Sequence, residues 1–111
     1  MRKIKNVEDA LILFETHVNT IHECSKSGNY RKSNRAYSHV ETIVKYLLEN
    51  HVLESLKTFY ESNNLFLRLY AATYLAPVDS ETCYKIIKEI MDKDEGWASF
   101  EAEYTLKDWS K

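Results

Sequence analysis

Glycine and proline are nearly missing from this chain, with two of the first and one of the second in 111 residues. A β-rich domain of that length needs more turn residues, so helices joined by short loops are the expected architecture. Cysteine is scarce too. Cys24 and Cys83 cannot build a disulfide framework, and they fall on separate expected helices, which suits small apolar thiols in a reducing compartment. With two glycines, no phosphate-cradling loop can be built in the usual way, and HExxH, CxxC, P-loop and GxSxG patterns do not occur. No run approaches the roughly 20 apolar residues of a membrane span. Arg2, Lys3 and Lys5 open the chain, but Glu8 and Asp9 follow and no apolar h-region does. No signal peptide is expected, and the expected compartment is the cytoplasm.

What is there has a globular balance. Apolar residues make up 44% and charged residues 29%, so one folded domain over 1–111 is the expectation. The net charge is −2, and it is unevenly spread. Residues 1–50 hold eight Lys/Arg and six Asp/Glu, a net +2; residues 51–111 hold seven and eleven, a net −4. The sequence pI of about 6.1 argues against general nucleic-acid binding.

Helical periodicity runs through the chain. Val7, Leu11, Phe14, Val18 and Ile21 step by threes and fours and predict a helix over 7–26. Gly28 ends it and Asn29 caps the next. Ala36/Tyr37, Val40, Ile43/Val44 and Leu47/Leu48 predict a second helix over 30–50. A short third is expected over 52–61 from Leu53, Leu56 and Phe59/Tyr60. "NNLFLRLYAATYL" (63–75) then reads as a helix apolar nearly all round, hence one buried between neighbours. Pro77 stops it. Asp79 or Ser80 opens a fifth helix with Cys83, Ile86/Ile87 and Ile90 inside. A sixth runs from about 97 to 109, with Trp97, Phe100 and Trp109 expected to close the end of the stack. The predicted fold is all-α, about six helices in three antiparallel hairpins.

Residues 52–76 resemble a HEAT-type repeat, in which an apolar–Arg pair precedes a doubled alanine, here in "FLRLYAATYL". "SGNYRKSNRAYSHV" (27–40), "LRLYAATYLAPVDSE" (67–81) and "FEAEYTLKDW" (100–109) are together similar to a bacterial family of small HEAT-like helical domains of unknown function. The resemblance implies a short α-solenoid, a bacterial source and cytosolic solubility, and brings no catalytic residues. Small HEAT-like proteins of this kind also resemble immunity proteins encoded beside secreted toxins.

Chemistry-bearing groups are few. His17, His22, His39 and His51 offer no four-ligand zinc pattern, so no metal is expected, nor any cofactor. Glu101 and Glu103 diverge on a helix. Neither thiol has a base in view. Two features remain. In "NYRKSNRAY" (29–37), Tyr30, Asn34 and Tyr37 share one helical stripe, and Arg31 and Arg35 an adjacent one. Aromatics beside arginines mark protein interfaces, and they also hold nucleic acid. The plainer alternative has the tyrosines covering the core edge and Asn34 bonding a loop. The second feature is Arg68, a charge in an apolar helix. It needs a partner, with Glu61 and Glu101 as candidates, unless it anchors a ligand. The leading functional expectation is a non-catalytic protein-binding module, an immunity protein or antitoxin. Its acidic second half, through Glu95, Glu101, Glu103 and Asp108 with Trp97 as anchor, would meet a basic toxin. Nucleic-acid binding through Tyr30, Arg31, Lys32, Arg35 and Tyr37 is the alternative.

Overall fold

The computed structural model describes residues 3–93 and 96–109, apart from the side chains of Trp97, Asp108 and Trp109. Among the described residues there are six helices and no strand: α1 (Val7–Ser27), α2 (Tyr30–Glu49), a 3-10 helix (Leu53–Glu61), α3 (Leu65–Leu75), α4 (Ser80–Asp92) and α5 (Gly96–Trp109). The all-α expectation holds. The backbone groups into two compact units, Met1–Ser55 and Leu56–Lys111.

In the first unit α1 lies antiparallel along α2, as a two-residue connection requires. The Asn6 side chain accepts from the Asp9 amide at α1's start. Gly28, at φ 76°, takes the left-handed conformation that ends α1, and its N–H donates to the Cys24 carbonyl. Asn29 then caps α2 by accepting from the Lys32 amide at 3.2 Å. Ala10, Leu13, Phe14, Val18, Ile21 and Cys24 are buried on α1; Ala36, Val40, Ile43 and Leu47 on α2. Leu48 is a correction to the periodicity reading: it is 58% exposed. At about 100° per residue it sits one step beyond Leu47, outside the buried arc.

The helix over 53–61 is 3-10 rather than α. Its buried residues are Leu53, Leu56 and Phe59, three apart each time. That spacing makes a single face only at three residues per turn. Nine residues, with Phe59 and Tyr60 among the last three, also give an α-helix little to propagate on.

In the second unit Asn64 caps α3, accepting from the amides of Phe66 and Leu67 at 3.1 and 3.2 Å. Phe66, Leu67, Leu69, Ala71, Ala72 and Leu75 are buried, and within 65–75 only Thr73 is exposed. The helix packs on both α4 and α5, and its paired alanines allow the close approach. The Ser99 hydroxyl of α5 donates to the Ile90 carbonyl near the end of α4 at 2.7 Å. Phe100 does not close off the core as expected; it is 56% exposed. The parts expected of Trp97 and Trp109 lie outside the described side chains.

Candidate functional site

The first turn of α2 sets cations against the helix dipole; α3 and α5 also begin without an acid, but only α2 puts two cations there. A helix N-terminus carries partial positive charge and favours acidic residues. Helix α1 begins with Glu8 and Asp9, and α4 with Glu81. Helix α2 has no acid in its first turn and carries Arg31 and Lys32 there instead, each opposing the dipole by about 0.3–1 kcal/mol. Arg35 follows one turn later. All three cations are exposed.

The aromatic stripe lies on the same exposed side. Tyr30 is 77% and Tyr37 44% exposed, and Asn34 between them is exposed. The tyrosines do not cover the core edge. Farther along, the stripe reaches Glu41, Val44 and Leu48, of which only Val44 is half-buried. The result is a face about 18 residues long, with aromatic and aliphatic groups down its middle and cations at one end.

Arg68 has a different partner from those foreseen. Its Nη2 lies 3.8 Å from Glu89 Oε2 of α4, and its side chain is only 15% exposed. Neither Glu61 nor Glu101 takes that place. A mostly buried guanidinium held by a neighbouring helix is a packing element of the second unit. Beside it, Tyr84, Lys85, Lys88, Glu89 and Asp92 line an open groove of about 460 Å³ along α4.

Some acidic groups of the second half have a lysine neighbour. Glu103 lies 3.9 Å from Lys107, Glu81 3.6 Å from Lys85, and Asp79 3.8 Å from Lys57. Glu101 is half-buried, and burial pushes its carboxyl above the usual value. Trp97, Glu95 and Asp108 lie outside the described side chains.

Two clusters join residues far apart in sequence. The rings of His17 and His39 stand 4.7 Å apart across the α1–α2 seam. Both imidazoles are held below their ordinary 6.5, His17 by burial and then by His39, His39 chiefly by burial. In the second unit the Tyr60 hydroxyl lies 3.1 Å from Asp79 Oδ2 and 3.3 Å from Cys83 Sγ. Asp79 occupies the N-cap position of α4 but makes no side-chain cap bond there; its carboxylate serves Tyr60 and Lys57 instead. Burial pushes both the Tyr60 hydroxyl and the Cys83 thiol up. A protonated thiol with no exposure is a poor nucleophile, so the cluster ties the 3-10 helix to α4. Spacings of 19 and 23 residues leave no local signal for it. The histidine pair was findable: residues 17 and 39 lie equally far from Gly28, so a folded-back hairpin brings them together.

Among the described residues no three of His, Cys, Asp and Glu gather where they could hold a metal ion. The fold and its surface therefore define an all-α assembly of helical hairpins whose distinctive feature is one exposed, basic and aromatic helix face. Compared with protein-family models, curated proteins and solved structures, the chain has no significant match.

Proposed function

We propose that this protein is a non-catalytic protein-binding module and that it binds through the exposed face of α2. The observation that carries the reading is the company kept there. Tyr30, Arg31, Asn34, Arg35 and Tyr37 are all solvent-exposed on one helix, and its first turn sets cations against the dipole. Tyrosine and arginine are the residues most enriched at energetic centres of interfaces. A rigid hairpin presents them at little entropic cost.

Helix α2 would meet acidic or mixed-charge surfaces. The immunity-protein reading, with a basic toxin on the second half, rests on family resemblance and on the net −4 of residues 51–111. The lysine partners of Glu81 and Glu103 leave that charge less concentrated than the cations of α2. Photo-crosslinking in native lysate separates the two. A photoreactive phenylalanine in place of Tyr37 should give a discrete protein adduct, lost when Arg31 and Arg35 are changed to glutamate. The same probe in place of Thr82, exposed on α4, should give none. Adducts from position 82 alone would move the site to the second unit, and no adduct from either would remove the reading.

A further inference from the structure

The stripe on α2 has a property that single residues do not reveal. Tyr30, Asn34, Tyr37, Glu41, Val44 and Leu48 follow alternating steps of four and three, the seam spacing of two paired helices. The series is also symmetric about position 39. Reversed against itself it sets Tyr30 opposite Leu48, Asn34 opposite Val44, and Tyr37 opposite Glu41. Five of the six residues are exposed and Val44 is half-buried, so the seam is available along its length.

Charge selects the direction. The first half of α2 carries Arg31, Lys32 and Arg35 with no acid; the second half carries Glu41, Lys45 and Glu49. A parallel pair would set Arg31 on Arg31, Arg35 on Arg35 and Glu41 on Glu41. An antiparallel pair sets Arg31 beside Glu49 and Arg35 beside Glu41. It also lets the Tyr37 hydroxyl donate to the Glu41 carboxylate. Lys45 is the one like-charge neighbour, falling near Arg31 and Arg35. Its contact with Glu49 spans 3.9 Å between largely exposed side chains, a weak bond that an intermolecular pair readily replaces. The polar residues Asn34 and Glu41 within the seam lower its stability but fix its register.

We infer that the partner of this face is a second copy of the same chain, paired antiparallel through α2 about a twofold axis near His39. The inference rests on the binding-face reading and names its occupant. A self-complementary patch is what a twofold interface requires. A single helix pair falls at the small end of specific interfaces, so the association is weak, with Kd on the order of 10–100 µM.

Sedimentation of the full chain over about 5–500 µM, a range bracketing that Kd, tests it. The expected result is a monomer–dimer equilibrium. R31E and E49R should each weaken it about tenfold or more, and R31E/E49R should recover to within about threefold of the parent, because the pair is restored with its signs exchanged. Both substitutions suit the helix dipole, so folding is preserved, and circular dichroism checks it. Y37E should abolish the dimer. A monomer at all concentrations overturns the inference, and so does a dimer indifferent to R31E, E49R and Y37E. If the chain stays monomeric while the position-37 crosslink captures another protein, self-pairing fails and the binding face stands. If both experiments are empty, both fall.

Discussion

Single side chains decide where this protein is fixed and where it is available. The Tyr60 hydroxyl reaches Asp79 and Cys83, so Tyr60→Phe should cost about 1 kcal/mol in urea unfolding, as a lost partly buried hydrogen bond does. Cys24 and Cys83 are both buried, and the Cys83 thiol is pushed up by that burial. Neither should react with a thiol reagent at pH 8 until denaturant is added; fast labelling of the native chain would contradict the packing. Glu101 gives a signed pH effect. Its folded carboxyl sits above the ordinary 4.5, so the folded state holds its proton longer than the unfolded one. Stability therefore falls as pH rises from 4.5 through the folded value. Glu101→Gln should raise Tm at pH 7 and leave it unchanged near pH 3.5, well below both values. The histidines act in the opposite sense. With folded values below 6.5, they contribute stability above pH 6.5 that is lost as pH falls through those values. A His17→Gln/His39→Gln double substitution should flatten the fall in Tm between pH 7 and pH 5.

At the level of elements, much of the fold is legible in the sequence because helix starts and stops have local chemistry. Asn29, Asn64, Gly28 and the apolar run 65–75 all act where their residue types say they should. Asn64→Ala should cost about 1 kcal/mol, the usual loss for a cap. The exceptions have physical reasons. Leu53, Leu56 and Phe59 step by three without a four, and the segment they build is 3-10. Asp79 stands at a cap position but its carboxylate is drawn to Tyr60 and Lys57, a tertiary demand that no window around residue 79 reveals. Arg68 clearly needed a carboxylate; which one depended on how α4 lies along α3, and Glu89, on α4, takes the place. The stripe on α2 was visible as far as Tyr37. Its continuation to Leu48 required knowing that Leu47, not Leu48, turns inward.

For the molecule as a whole, the proposal is that α2 has two separable faces, about 100° apart around its axis. One side, with Ala36, Val40, Ile43 and Leu47, makes the hairpin. The other, with Tyr30, Tyr37 and Leu48, is exposed and is the proposed binding face. The most direct measurement is thermal unfolding of a Tyr30→Ser/Tyr37→Ser/Leu48→Ser variant. It should be made at about 1 µM, where mass action from self-association adds nothing to stability. The account predicts a Tm within about 6 °C of the parent, since exposed substitutions move stability by less than about 0.5 kcal/mol each, under about 1.5 kcal/mol for the three. A fall of about 12 °C or more, a loss of roughly 3 kcal/mol for a chain this size, would show that the stripe holds the fold together and is not reserved for a partner.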